Sequence, residues 1–238
     1  MVGCVRIAVV IPALDEAEQI QAAVESVRES LGAGTGHSLP RPASLEVVVV
    51  DGGSLDRTVD RARAAGARVL TSPSGRALQL ETGWRATEGE VVLFLHADTR
   101  LPSGWDVAIR AALVDPGVVG GAFGFRFRER RLALVWIEWG ARLRSRAGLP
   151  YGDQALFARR SALESIGGIP AVPIAEDLDL VRALRRRGRL AMLPLDAVTS
   201  ARRYLAHGPF RTWLRHAIAL GAWRLGVDRA RIARWVRG

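Results

Sequence analysis

Three apolar runs in the N-terminal half each lead to a carboxylate. Val5–Ile11 runs to Asp15-Glu16, Leu45–Val50 to Asp51, and Val91–Leu95 to His96-Ala97-Asp98. None of them alternates with polar residues, and each is too short to bury itself as a helix. Each therefore reads as a strand covered on both faces of a parallel sheet. Between them lie segments at helical spacing: Ile20, Val24, Val27 and Leu31, then Val59, Ala62 and Ala65, then Gly75–Thr87, with a short strand at Arg68–Leu70. Strand and helix alternating at this length are βαβ units, so the chain is α/β, with a Rossmann-like, mostly parallel sheet flanked by helices. Ligands of such sheets bind beyond the carboxyl ends of the strands. All three acidic tips are expected along that edge.

Asp15 and Glu18 give a capping-box-like signal before the first helix, and the glycine- and proline-rich stretch 32–44 reads as a surface loop. Past Asp98, Pro102–Val114 is expected to be helical with proline at its start. Val118–Phe127 alternates glycine with apolar and aromatic residues, as in a strand of close backbone approach. Leu132–Leu143 is amphipathic and rich in tryptophan. Asp153–Ala158 reads as a short strand, Glu176–Arg187 as a helix, and Leu190–Leu193 and Ala197–Arg202 as the last core segments. Two basic helices follow, over about 209–225 and 228–237, the second capped by Asp228. The 238 residues divide into a sheet domain over 1–205, in two halves that meet at about residue 100, and a helical extension over 206–238.

Cys4 is the single cysteine, which excludes an internal disulfide and suits a reducing compartment. The apolar start lacks a basic n-region and a small-residue cleavage pattern, so it reads as a strand and not as a signal peptide. No run approaches the roughly 18 apolar residues of a membrane span. A cytoplasmic protein is the expectation. The formal charge of +10 comes from arginine alone, since all 34 basic residues are arginine. Codon usage of a G+C-rich genome explains that excess, or an anionic partner does: membrane lipid, a phosphorylated substrate or nucleic acid. The arginines are scattered over many elements with few aromatic residues interleaved, which argues against nucleic acid.

A lone carboxylate after a strand is commonly a helix cap. Three on one edge repel one another unless a cation or hydrogen-bond donors are present. The Gly52-Gly53-Ser54 turn adds backbone amides that a base or ribose can approach closely. No Gly-Lys-Ser/Thr or GxGxxG occurs, and the lack of lysine near the first strand disfavours a nucleotidyltransferase. Taken together, Ile11-Pro12-Ala13-Leu14-Asp15-Glu16, Val50-Asp51-Gly52-Gly53-Ser54-Leu55-Asp56-Arg57-Thr58 and Leu93-Phe94-Leu95-His96-Ala97-Asp98-Thr99 resemble the family 2 glycosyltransferases. Gly75-Arg76-Ala77 and Glu176-Asp177 stand where that family has motifs. With Gly152-Asp153-Gln154, the chain looks closest to a small bacterial glycosyltransferase-like branch whose members carry arsenosugar-type or carotenoid-type names.

The resemblance implies a GT-A type fold over 1–205, with a nucleotide-binding half over 1–100 and an acceptor half over 101–205, a nucleotide-sugar donor and a divalent metal, Mn2+ or Mg2+. It puts Pro12, Asp15, Glu16, Asp51, Gly52, Ser54, Arg76, His96 and Asp98 on the donor side. Asp98 matches the last aspartate of the family's DxD, the metal ligand. The first is His96 here, a poorer partner for Mg2+ than an oxygen ligand; it ligates Mn2+ or only hydrogen-bonds the ribose or a phosphate. Asp177 matches the position of the base, with Glu176 beside it, and the plain alternative is that both complement a helix N-terminus. Asp153 and Gln154 fall on the acceptor side or in an ordinary polar turn, and His207 is a third metal ligand or a structural histidine. The implied reaction is metal-dependent, inverting transfer of a sugar to an acceptor hydroxyl, the alternative being a non-catalytic nucleotide-binding relative. Trp213, Trp223 and Trp235 among the C-terminal arginines suit helices lying on an anionic membrane, with a lipid acceptor. Packing on the sheet, or a homodimer contact, is the competing account of those helices.

Overall fold

The computed structural model describes residues 5–29, 31, 45–146, 150 and 152–237. Strands β1 (Ile7–Ala13), β2 (Leu45–Asp51), β3 (Arg68–Thr71) and β4 (Val91–Phe94) run parallel in the order β3-β2-β1-β4. Helices α1 (Ile20–Glu29), α2 (Thr58–Ala64) and α3 (Arg76–Arg85) connect them. The absence of alternation in the strands is explained by two cores. Ile7, Val9, Ile11, Val47, Val49, Val91 and Leu93 face α1 and α2. Val10, Val48, Val50, Val92 and Phe94 face Ala77, Leu80 and Trp84 of α3. Strand side chains alternate between faces, so a strand with helices on both sides needs an apolar residue at every position.

The second half continues through β5 (Thr99–Arg100), α4 (Trp105–Ala112), β6 (Val118–Phe127), α5 (Leu132–Arg146), a single 3-10 turn at Gly152–Gln154, β7 (Leu156–Arg159), α6 (Arg160–Ser165), α7 (Glu176–Arg185) and β8 (Arg189–Thr199). The sheet extends as β4-β7-β6-β8-β5, with β7 antiparallel to β4 and β6, and β5 antiparallel to β8. Close backbone approach in β6 is real: a Cβ on Gly121 would lie 2.2 Å from the Ala191 carbonyl oxygen. Helices α8 (Arg202–His207), α9 (Pro209–Arg224) and α10 (Arg229–Arg237) complete the chain. Asp228 does cap α10, accepting the Arg231 N–H at 2.9 Å. Among the described residues no helix is long and apolar enough to cross a membrane.

Several local expectations are corrected. The Asp15/Glu18 capping box does not form, because Asp15 sits at φ +52° and the first turn of α1 closes on the Glu16 carbonyl instead. The strand expected from Asp153 starts only at Leu156, after the 3-10 turn and Ala155 at φ +48°. Leu190–Leu193 and Ala197–Thr199 are one strand, β8, whose pairing with β6 shifts register between Ala122 and Gly124. That irregularity accommodates Pro194, which has no N–H for a regular ladder. Pro102 lies ahead of α4, which starts after Gly104 at φ +74°. The expected loop over 32–44 and Cys4 fall outside the described residues.

Candidate functional site

The loops after β1 and β2 are stitched together by their own polar side chains. Asp51 is buried at the end of β2, where its Oδ2 accepts the Gly53 and Ser54 N–H groups at 3.0 Å each. Its Oδ1 accepts the Ser54 hydroxyl, whose oxygen in turn accepts the Asp15 N–H at 2.9 Å. Asp15 Oδ1 accepts the Leu55 N–H at 2.8 Å. Asp56 accepts the Ala17 N–H at 3.0 Å, and the Thr58 hydroxyl accepts that of Glu16 at 2.8 Å. Gln79, buried on α3, locks the two strand ends by donating to the Ala13 and Val50 carbonyls at 2.8 and 2.9 Å. A Cβ on Gly52 would come within 3.1 Å of that amide. The Asp15 and Asp51 carboxylates thus shape the loop, and Pro12 lies where the ladder from β1 to β4 has already stopped.

The stitching turns Glu16 inward, toward Asp98. Glu16 is buried and ion-paired with Arg202, with Arg203 at 4.0 Å. Burial raises its pKa and Asp98 adds to the effect, while the two arginines oppose it. Asp98 closes the turn after β4; its carbonyl accepts the Ser200 N–H at 3.1 Å. On the facing side, Arg76 opens α3 after Gly75 at φ +143° and pairs with buried Glu176 at 3.4 Å. Burial works to lower the Arg76 pKa, but Glu176, Asp177, Asp98 and Asp153 outweigh it and hold the guanidinium charged. Burial raises the Glu176 pKa, and Asp177 adds to it against the opposing Arg76.

Asp153 completes the cluster. Its Oδ1 is buried without a hydrogen-bond partner. Burial first, then Asp177 and Asp98, push the carboxyl up to about 6 against the pull of Arg144 and Arg76. Gln154 points elsewhere: its amide donates to the Phe123 carbonyl at 3.0 Å and accepts from Ser145 and Arg144 at 3.0 and 3.2 Å. His96 is held neutral, because burial and then Arg76 and Arg203 push its pKa well below the usual imidazole value. Non-glycine residues in the left-handed region stand beside three of these groups: Asp15 next to Glu16, Ala155 next to Gln154, and Ala175 next to Glu176. Such backbone strain costs on the order of 1–3 kcal/mol per residue and clusters at functional sites.

The structure therefore gathers Glu16, His96, Asp98, Arg76, Asp153, Glu176 and Asp177. The expected trio of Asp98, His96 and His207 does not assemble. His207 is exposed at the end of α8, and among the described residues no three of His, Cys, Asp and Glu gather as a metal cage. What suits a cation is the surplus of carboxylates, with an orphaned oxygen on Asp153 and a neutral imidazole on His96, two residues before Asp98 in the chain. Gln79, Arg144, Arg202 and Arg203 were not singled out from the sequence. Only the Arg202-Arg203 pair directly after an apolar strand offers a signal there.

A parallel half-sheet with carboxylates at its carboxyl edge, faced by the acidic start of a helix in the second half, defines the GT-A class of fold. The sequence model of Glycosyl transferase family 2 matches residues 8–152, more than half of the chain, and the chain belongs to that family. Over 101 residues it is 32% identical to the glucosyl-3-phosphoglycerate synthase of Mycolicibacterium smegmatis (strain ATCC 700084 / mc(2)155), a match covering 39% of this chain and 30% of that protein. The chain thus aligns with less than a third of the curated relative's length. Two crystal structures of glucosyl-3-phosphoglycerate synthase from Mycobacterium tuberculosis are each 25% identical and cover 94% of this chain and 81% of theirs. One, with Mn2+, uridine diphosphate and glucosyl-3-phosphoglycerate, superimposes with a TM-score of 0.63. The other, with Mn2+, uridine-diphosphate-glucose and glycerol 3-phosphate, gives 0.62.

Proposed function

We propose that the chain transfers a sugar from a nucleotide-diphosphate-sugar to an acceptor hydroxyl in one displacement, inverting the anomeric carbon. The observation that carries this reading is the convergence of Asp98, Asp153, Glu176 and Asp177 around Arg76, in a chain of this family. The relatives crystallised with uridine diphosphate or its glucose ester and Mn2+ support the donor class. The backbone of the Gly52–Ser54 turn, fixed by Asp51 and tied to Asp15, presents the surface for base and ribose, and Glu16 and Arg76 flank the diphosphate.

When bound, a divalent cation offsets the charge developing on the leaving diphosphate; Asp98 would hold it, with the neutral imidazole of His96 beside it. Asp177 takes the proton from the acceptor hydroxyl as its oxygen attacks, while the bond from the anomeric carbon to the diphosphate breaks. Arg76 holds Glu176 in place next to Asp177, and Asp153 borders the acceptor. The acceptor is a small molecule or a lipid, met on the cytoplasmic side, with peripheral contact to the membrane in the second case.

Asp177→Asn tests the reading. With a panel of nucleotide-sugars and Mn2+, the variant is expected to lose turnover by roughly 100-fold or more while its thermal stabilisation by the donor persists. Normal turnover in that variant overturns the assignment of the base.

A further inference from the structure

Helix α5 buries Leu134, Glu138 and Ala141 against the sheet. Its other face is bare, with Leu132 85%, Trp136 73% and Trp139 60% exposed. Helix α9 packs beside α5 and has exposed apolar residues of its own, Phe210, Trp213 and Ile218. The rings meet one another, Trp136 and Trp139 edge to face at 6.5 Å and Phe210 stacked on Trp213 at 6.0 Å. Isolated exposed apolar residues are ordinary, but aromatic rings grouped along two adjacent helices are not. Helix α10, expected on a membrane from its sequence, takes no part through its apolar side, since Ile232 and Ala233 are buried.

The charge of these two helices is nearly of one sign. Helix α9 carries Arg211, Arg215 and Arg224 and no carboxylate, and α5 carries Arg144 and Arg142, the latter paired with Asp196 at 3.4 Å. On α5 the single carboxylate is Glu138, buried and accepting the Phe127 N–H at 2.8 Å. We propose that the α5–α9 face docks on an anionic lipid bilayer, its tryptophan and phenylalanine rings at the headgroup boundary and its arginines against lipid phosphates. A second copy of this chain is the poorer occupant, because a two-fold contact would set arginine-rich faces against each other. The C-terminal part of α5 borders the site: Arg144 donates to Gln154, and its charge acts on the neighbouring Asp153 carboxyl. A hydroxyl carried by a membrane lipid is then the acceptor class. That last step rests on the proposed transfer; the docking does not.

Co-flotation of the full chain with phosphatidylcholine vesicles, with and without phosphatidylglycerol, tests it. The wild type is expected to float only with the anionic vesicles. Trp136→Ser/Trp139→Ser is expected to lose at least tenfold in bound fraction at an unchanged unfolding midpoint, and Trp235→Ser on α10 to bind like the wild type. A wild type that does not float, or a double variant that floats equally well, overturns the proposal. A concentration-dependent dimer abolished by the double substitution, without vesicle binding, overturns it in favour of a second copy. Donor binding is read separately by thermal shift with Mn2+, and its failure would remove the transferase reading while leaving the docking result intact.

Discussion

At Asp153, burial and two neighbouring carboxylates oppose ionisation, with one oxygen left unpartnered. The carboxyl titrates at about 6 in the folded chain against 3.8 in the ordinary case. Through that window the folded chain keeps a proton that the unfolded chain has released, so this group's contribution to stability falls as the pH rises. It is fully favourable below the unfolded value and lost above the folded one. Asp153→Asn is expected to be more stable than the wild type at pH 7.5, with the advantage shrinking as the pH is lowered toward 4, in urea unfolding read at each pH. An advantage independent of pH would show that the carboxyl is not under this pressure. Residues of this kind were legible in the sequence because they stand at strand ends and helix starts: Asp98 after β4, Glu176-Asp177 opening α7, Arg76 opening α3. Arg202 was not, because its partner Glu16 is brought to it only by the completed sheet.

Among the elements, the two parallel strands that present the first loops are tied at their ends by one side chain. Gln79 donates to carbonyls of both β1 and β2 from a buried position, and an apolar side chain there leaves two buried acceptors without it. The Ala13 carbonyl keeps the Gly52 N–H at 2.9 Å, and each lost hydrogen bond contributes about 0.5–1.5 kcal/mol. Gln79→Leu is therefore expected to lose on the order of 1–3 kcal/mol in urea unfolding and to weaken donor binding through the displaced Gly52 turn. Unchanged stability would mean that the amide is dispensable. The parallel half was readable because helices on both sides of the sheet demand unbroken apolar strands, and that demand is visible residue by residue. The second half was less so. Pro194 made β8 look like two segments, and the short helices α6 and α8 carry too few turns to show a period.

Across the whole molecule, the C-terminal helices and the acidic helix of the site share one anchor. Asp179, one turn into α7 from Glu176, accepts the Trp223 indole N–H at 2.8 Å and two bonds from Arg229 at 2.9 and 3.0 Å. Leu178 on the same helix packs with Trp223 and Ile232. The extension is thus coupled to the helix that carries Glu176 and Asp177. Bonds to a charged group contribute about 1.5–3 kcal/mol, and for a domain of this size 1 kcal/mol moves the midpoint by roughly 2–4 °C. Asp179→Ala is expected to lower the unfolding midpoint by about 3–12 °C. Because the guanidinium of Arg229 also loses its partner, Asp179→Ala/Arg229→Ala should cost less than the sum of the single changes. If α7 is positioned from the C-terminal side, Asp179→Ala also reduces kcat at temperatures where it is fully folded, with little change in KM for the donor, whose proposed contacts lie after β1, β2 and β4 and at the start of α3. Additive stability losses together with wild-type kcat would show that α7 is held by the sheet alone and that the extension serves only the surface it exposes.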